Sequence, residues 1–289
     1  MLAHTPLIAS SPAAGWLARL DLRFERRLIG QNCHTVLAHS RHHGPLRVQK
    51  ALHPEGPGIC HAIVLHPPSG IAGGDELDIA IDVSDGAHAL LTTPGAGKWY
   101  RSAGALAKQN LKIKVGAGGT AEWLPQETIV FNGALAHIGT EVELTADARY
   151  IGWEVLCLGR RASGETFDHG KLHLGTRITR DGRPLWLEHG RIDGGSALLD
   201  SPVGMAGFSV CGTLLATGNI SAALLAECRA VPATEPGAQQ GITALSGLIV
   251  ARYLGHSSEA AREWFINLWR QLRPILLGVP AQTPRIWST

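Results

Sequence analysis

The fold of this chain is decided by residues 75–83, which read DELDIAIDV. Apolar side chains alternate with charged or small ones along this stretch, and a period of two residues indicates a β-strand with one buried face. Residues 111–115, 141–144 and 172–178 repeat the alternation, and glycine-containing turns separate such stretches. The pattern predicts an antiparallel or mixed all-β assembly. The apolar face of the first stretch consists of Leu77, Ile79, Ile81 and Val83.

Turn signals and spacing constrain how these strands are arranged. Asp181 and Gly182 predict a hairpin turn before a strand at 184–187. No sequence unit repeats, which argues against a regular solenoid of identical coils and leaves a sandwich or irregularly stacked sheets. We expect a single domain over 1–289, with a β body over about 16–215 and an α/β part over about 216–289.

The α/β part begins with a short helix and a strand. Asn219 is placed to cap a helix that reaches Cys228. Residues 232–240 have the composition of a loop, and residues 245–253 are expected to form a buried strand.

A second helix follows Ser257, because apolar residues recur at helical spacing there. Pro274 is predicted to end it. The tail 284–287 carries an aromatic, Trp287, that is expected to be exposed. The apolar side chains of this helix are Ala261, Trp264, Phe265, Leu268, Trp269 and Leu272.

Composition excludes several classes of protein. Of the 289 residues, 45% are hydrophobic and 17% charged, so a buried core is expected, and the net charge of +2 gives no reason to expect nucleic-acid binding. The five cysteines are scattered without a C-x-x-C pair, which favours a reducing compartment. The N-terminal residues lack the features of a signal peptide, and no apolar run approaches the ~18 residues of a membrane span. We expect a cytoplasmic protein.

Two glycine-rich segments resemble catalytic motifs only superficially. Residues 94–99 read PGAGKW, but Thr92 and Trp99 stand where a phosphate loop needs Gly and Ser or Thr. Residues 69–75 do not form G-x-S-x-G, because Pro67 stands where the first Gly is required. Both segments are predicted to be turns between strands.

The histidines give no convincing metal site. Asp168, His169 and His173 could suggest a metal-dependent hydrolase, but the alternation around His173 indicates a strand, which would hold the two imidazoles too far apart for one ion. Solvated histidines are the preferred interpretation, and the hydrolase is kept as a rival.

Three acids stand in apolar surroundings. Asp75 begins the apolar face of residues 75–83, Glu154 has the parity of Leu156 and Leu158, and Glu188 follows an apolar stretch. A buried carboxylate is costly unless it is paired, hydrogen-bonded or bound to a cation. Internal salt bridges are favoured over a site for a borderline divalent ion such as nickel. The expected partners are Arg101, Arg160 and Arg161.

Residues 123–131 read WLPQETIVF and contain no nucleophile–base pair, metal-ligand spacing or phosphate loop. Pro125 within an apolar run predicts a kinked strand with an architectural role. Gln126 and Glu127 could face either a passage or a partner.

Taken in order, ten segments resemble the urease accessory protein family UreD, called UreH in some organisms. The resemblance covers nearly the whole chain after about residue 15, and an ordered set of this length is far more specific than any single motif. One departure is Ser69, where many relatives have Gly; another is Glu154, where some have Asp. The segments are 20–24, 44–49, 65–75, 93–96, 98–102, 122–127, 156–160, 164–167, 272–274 and 284–287.

The resemblance implies a fold and a function. The fold would be mainly β, an irregular β-helix-like stack of mixed sheets with two helices in the C-terminal third. The function would be non-enzymatic, without catalytic residues: UreD-like proteins help to install nickel in urease apoprotein. They act with UreF, which bridges them to the GTPase UreG. The alternative is a passive adaptor that docks urease to UreF without handling nickel.

The resemblance also implies site residues. Nickel is proposed to cross proteins of this family through an internal channel, and Asp75, Glu154 and Glu188 match acids suspected to line it, with His189 adjoining the last. Only transient nickel(II) is implied, with no tightly bound cofactor and no stable metal site. Trp287 and Arg285 are candidates for a partner interface, because exposed aromatic and arginine side chains favour interfaces.

Overall fold

The computed structural model describes residues 15–288. The predicted start of the domain at residue 1 and the absence of a signal peptide concern residues outside the described part. The described chain consists of strands β1 (Leu17–Ile29), β2 (Asn32–His43), β3 (Arg47–Val48), β4 (Ile59–Leu65), β5 (Glu76–Val83), β6 (His88–Thr92), β7 (Gly97–Trp99), β8 (Ala107–Val115), β9 (Thr120–Trp123), β10 (Thr128–Val130), β11 (Leu135–Leu144), β12 (Arg149–Leu158), β13 (Lys171–Arg180), β14 (Arg183–Asp193), β15 (Val210–Thr217), β16 (Gln239–Leu245) and β17 (Leu248–Gly255), with helices α1 (Ala222–Arg229) and α2 (Ser258–Leu277).

The strands form two sheets. The first sheet has the order β14-β13-β11-β8-β5-β1-β2, and the second has the order β16-β17-β15-β12-β9-β6-β4-β3, with β7 and β10 attached beside β12. Between β4 and β13 the chain crosses from one sheet to the other and back, adding a parallel strand to each on every pass. Antiparallel hairpins close the edges. The mainly β, irregular β-helix-like stack of mixed sheets is confirmed.

Alternation along each strand divides the core into two layers. On β12, Tyr150 and Leu156 pack between the two sheets, whereas Ile151, Trp153 and Val155 belong to a second apolar cluster with α2. A strand covered on both faces reads as a continuous apolar run, as β12 does. The side chains of even-numbered residues on β12, Glu154 included, therefore point into the space between the sheets.

The predicted strand at 75–83 and the hairpin at 181–182 are confirmed. The side chains of Leu77, Ile79, Ile81 and Val83 are buried on β5. Asp181 and Gly182 have φ values of 48° and 76° between β13 and β14. Positive φ at both central residues is the requirement of the turn type that matches strand twist.

Both helices exist, but their boundaries differ from the prediction. The cap of α1 is Ser221, whose Oγ accepts a hydrogen bond from the Leu224 N–H at 3.1 Å, while the Asn219 side chain accepts one from Gly247. Helix α2 continues through Pro274 to Leu277 and is followed by Gly278 at φ 74°. A proline in the last turn removes only one backbone hydrogen bond, and the extra turn buries Leu276 and Leu277.

The predicted strand over 245–253 was wrong in its bounds. Gly247, with φ 77°, lies at the turn between β16 and β17, so the buried strand begins only at Leu248. Residues 239 and 240, predicted as loop, belong to β16 because they pair with β17.

Candidate functional site

A cavity of about 690 Å³ lies between the two sheets. Its walls are mostly apolar and come from β5, β8, β11, β13 and β14 on one side and from β9, β12, β15 and β17 on the other, with the 93–98 turn among the loops that complete them. A pocket of this size with a few convergent polar groups is the usual form of a ligand site. The titratable side chains along it are His66, Lys98, Tyr150, Glu154, Glu188, Arg191, Cys211, Arg252 and Tyr253.

Glu154 lies in this cavity without a partner. Within residues 15–288, no hydrogen bond or ion pair joins its carboxylate to another group. Burial raises the pKa of Glu154 to about 7, and the charge of Glu188 adds to the increase. A carboxyl group with this pKa is partly ionised at neutral pH, so it can take up or release a proton when a cation arrives.

Glu188 faces Glu154 from the other sheet and is paired. Its Oε1 accepts a hydrogen bond from Arg252 Nη2 at 2.7 Å, and its Oε2 accepts one from Trp186 Nε1 at 3.3 Å. Arg252 also donates from Nη1 to Thr213 Oγ1 at 2.9 Å. Thr213 pairs with Glu154 on one side and with Arg252 on the other, so these side chains share one face of the second sheet.

Asp75 is buried but does not line the cavity. Its carboxylate accepts hydrogen bonds from the backbone N–H groups of Trp16 and Ala72, both at 2.8 Å. These bonds fix the loop that enters β5 and the start of β1, which is an architectural role. Its charge still reaches the cavity wall, because it opposes the burial that lowers the pKa of His66.

His189 does not join the other predicted site residues. It is exposed on β14 and is adjacent to Glu188, so the two side chains point to opposite faces of the first sheet. His66 and Cys211 do line the cavity, and both were missed by the sequence analysis. The buried His66 Nε2 has no hydrogen-bond partner within residues 15–288. Burial, followed by the charge of Glu154, raises the pKa of Cys211 to about 12.

The expected arginine partners were wrong. Arg160 pairs with Glu165 at 2.7 Å, and in the described part of the chain neither Arg101 nor Arg161 is paired with any of the three acids. The salt bridge exists for Glu188, but its partner is Arg252, 64 residues away in sequence. The sequence does indicate that Arg252 faces the interior, because it has the same parity as the buried Val250. Parity does not show which acid lies opposite Arg252.

Residues 123–131 run from the last residue of β9 through the irregular segment 124–127 into β10 and end at Phe131. Pro125 accepts a hydrogen bond at its carbonyl oxygen from Trp153 Nε1 at 2.9 Å. Glu127 pairs with Arg262 of α2 at 3.2 Å, and the same arginine donates to the Gln126 side chain, which also lines the cavity. The expected kinked strand is thus a break between β9 and β10 at which the chain is tied to α2.

Trp287 is half-buried, which corrects the expectation of an exposed aromatic. Its Nε1 donates to Thr92 Oγ1 at 2.7 Å, and its ring lies 5.6 Å from that of Trp153 and 6.2 Å from that of Trp269. The tail thereby closes over the second apolar cluster. Arg285, the other interface candidate, is exposed.

The rival metal-dependent hydrolase would need at least three converging ligands. Within 15–288, no three His, Cys, Asp or Glu side chains converge so that they could hold a metal ion, and Asp168, His169 and His173 are no exception. His173 lies on β13 and His169 precedes that strand.

A second charged cluster, absent from the sequence prediction, is buried between the second sheet and α2. Arg273 is fully buried and donates to Glu122 and to Glu55. His88 Nε2 and Trp269 Nε1 each donate to Glu122 at 2.7 Å. Burial raises the pKa of Glu122, but the hydrogen bonds and charges of His88 and Arg273 outweigh it and hold the pKa at about 2.

The fold and the cavity define the class: a non-repetitive β-helix-like protein that encloses a cavity with two facing carboxylates. Comparison with known proteins identifies the family. The family model described as "UreD urease accessory protein" matches residues 17–288. The chain belongs to the UreD urease accessory protein family.

Similar proteins are matched along nearly their full lengths. The urease accessory protein UreD of Dechloromonas aromatica (strain RCB) is 54% identical over 293 residues, covering 100% of both chains. That of Azoarcus sp. (strain BH72) is 56% identical over 276 residues, covering 95% of each. That of Nitrosococcus oceani is 50% identical, covering 95% of this chain and 90% of the relative. Within 15–288, neither helix has the length and apolar character needed to cross a bilayer.

Proposed function

We propose that this protein is a non-catalytic, cytoplasmic urease maturation factor that relays nickel(II) through the cavity between its sheets. Nickel is cargo in this proposal and is held only transiently. Urease apoprotein, UreF and, through UreF, the GTPase UreG are the proposed partners, as the family resemblance implies.

One observation carries the proposal: Glu154, unpaired, faces the ion-paired Glu188 across the cavity. Carboxylate oxygens and imidazole nitrogens bind a borderline divalent ion. The cavity supplies the two carboxylates and His66, but the described residues assemble no trio that could trap an ion. Weak, successive contacts suit transfer better than storage.

The test replaces the two cavity carboxylates by isosteric amides. Glu154→Gln combined with Glu188→Gln should lower the nickel content and activity of co-expressed urease several-fold, while co-purification with urease and UreF is unchanged. The matched control is Glu141→Gln, since Glu141 also lies on a strand but forms its ion pairs on the surface. Asp75 is unsuitable for the test because its substitution would release two backbone N–H groups.

A passive adaptor is the second candidate. It is favoured by the positions of Asp75 and His189, two of the four predicted passage residues, which do not line the cavity. The adaptor predicts normal nickel loading of urease by the Glu154→Gln, Glu188→Gln variant, and this result would refute the relay. Loss of the partner complex in the variant would instead assign the acids to docking or folding.

A further inference from the structure

The cavity carboxylate Glu188 is already occupied by a cation belonging to the protein. Arg252 Nη2 lies 2.7 Å from Glu188 Oε1, and the Arg252 guanidinium carbon lies 5.7 Å from the centre of the Trp186 ring. Trp186 Nε1 also donates to the other oxygen of Glu188. The guanidinium therefore covers the carboxylate that a metal ion in the cavity would need.

Arg252 is able to leave this position. Its side chain is 46% exposed, so it lies at an opening of the cavity and not in its interior. Among the described residues, its other contacts are a hydrogen bond to Thr213 Oγ1 at 2.9 Å and the Trp186 ring. An exposed arginine that turns outward keeps its charge in water and loses little by leaving.

Charge balance couples its departure to the entry of a metal ion. With both acids ionised and Arg252 in place, the three side chains carry a net charge of −1. A divalent ion then raises the total to +1 in a partly desolvated space, whereas the same ion with Arg252 turned out gives zero. Unbalanced charge is unfavourable where water is excluded.

We propose that Arg252 is a gate that competes with divalent cations for Glu188 and keeps their binding weak and reversible. The inference rests on the proposed nickel relay and adds its regulation. Removing the guanidinium should let the cavity bind a divalent cation more tightly and release it more slowly.

The test measures nickel(II) binding to the isolated full-length chain by equilibrium dialysis at pH 7.5. Arg252→Met keeps an unbranched side-chain stem and removes the guanidinium with its charge. We expect its apparent Kd for nickel(II) to be at least about tenfold lower than that of the unmodified protein, since a like charge within a few ångströms of the ion has been removed. Thr213→Val, which removes one anchor, should lower the Kd by a smaller factor.

The matched control is Arg177→Met. Arg177 is also on a strand, is 56% exposed and lies 3.7 Å from Glu141, but outside the cavity, so its loss should leave nickel binding unchanged. Adding Glu188→Gln to Arg252→Met should abolish the gain. Repeating the dialysis with magnesium(II) shows whether the gain in affinity holds for any divalent cation or only for the borderline ion nickel(II).

Unchanged nickel affinity in both Arg252→Met and Thr213→Val would overturn the gate. A gain that survives Glu188→Gln would overturn it as well, because the released site would then not be Glu188. These outcomes are distinct from failure of the relay, which is measured by urease loading in the carboxylate variants. A relay that needs Glu154 and Glu188 while Arg252 has no effect on affinity would remove only the gate.

Discussion

The fully buried Arg273 should be among the residues on which stability depends most. It donates to Glu122 at 2.9–3.1 Å and to Glu55 at 2.5 and 3.0 Å, and both carboxylates are buried. Each pair at ~3 Å is worth about 5 kcal/mol of gross attraction at an effective dielectric constant of about 20. Desolvation offsets much of this in the intact cluster, but Arg273→Met would remove the guanidinium that two buried carboxylates share and leave them, in the described chain, with hydrogen bonds from His61, His88 and Trp269 alone. Breaking a buried pair in this way costs about 3–5 kcal/mol.

The assay is urea unfolding followed by circular dichroism and tryptophan fluorescence. In a parallel thermal scan, a loss of that size would lower the midpoint by roughly 5–8 °C, since the unfolding entropy of a chain of this length is about 0.6 kcal/mol/K. Arg270→Met is the control on the same helix. Arg270 is exposed, and within residues 15–288 its side chain bonds Asn267 and Thr283 alone, so the change should stay within about 0.5 kcal/mol.

A double substitution tests the mechanism. Adding Glu122→Gln to Arg273→Met removes one of the two carboxylate charges that have lost the guanidinium. The double variant should therefore be destabilised by less than the sum of the two single changes. A loss below about 1 kcal/mol for Arg273→Met, or strict additivity with Glu122→Gln, would refute the reasoning.

Three further predictions concern the cavity, the cap of α2 and the tail. The folded-state pKa of Glu154, about 7, lies above its ordinary value, so the stability that the protonated group contributes is fully present below about pH 4.5 and is lost as pH rises towards and through 7. In urea titrations, Glu154→Gln should therefore raise the free energy of unfolding by up to about 3 kcal/mol over the unmodified protein at pH 8 and leave it unchanged at pH 4.5. An equal gain at both pH values would contradict this origin. Ser257→Ala removes the side chain that caps α2 and should cost about 1 kcal/mol in the same assay, whereas Ser258→Ala should cost much less. Trp287→Ala should lower the free energy of unfolding of the isolated chain by about 2 kcal/mol or more, because its ring packs on Trp153; a loss of partner binding at unchanged stability would return Trp287 to the interface.

The architecture was accessible from the sequence because its signals are local. Alternation at 75–83 and 172–178 fixed both the strand type and the buried face, and the hairpin at 181–182 needed only two residues of known preference. The helix ends were less accessible. Asn219 and Ser221 are both good capping residues, and only the contact of Asn219 with Gly247 decides between them. The prediction that Pro274 ends α2 is wrong, because a proline costs little stability in the last turn of a helix and that turn buries Leu276 and Leu277.

The site was less accessible because its contacts are distant in sequence. Parity correctly predicts Glu154 in the buried layer. The residues around position 188 do not indicate that Arg252 is its partner, because the two are 64 residues apart. His189 was included only because it follows Glu188 in sequence. Adjacent residues of a strand face opposite sides, which is the reason that His189 is exposed. Arg273 could have been suspected, because it lies one turn after Trp269 on the apolar face of α2 and a charge there demands partners. The identity of those partners depends on how the sheets stack.

The carboxylate cluster around Glu122 and the pair Glu154 and Glu188 in the cavity differ in whether the carboxylate charge is compensated. Glu122 accepts hydrogen bonds from His88, Trp269 and Arg273, and its low pKa shows a charge that is fully compensated. Within residues 15–288, both Glu122 oxygens already accept hydrogen bonds, so the cluster offers no unbonded carboxylate oxygen at Glu122 to a metal ion. Glu154 is the opposite case: its pKa is raised and its carboxylate has no partner in the described chain. A buried carboxyl group with a perturbed pKa and no partner is a candidate functional group, so we assign the proposed relay to Glu154 and to Glu188 opposite it, and the buried arginine cluster to the scaffold that holds them across the cavity.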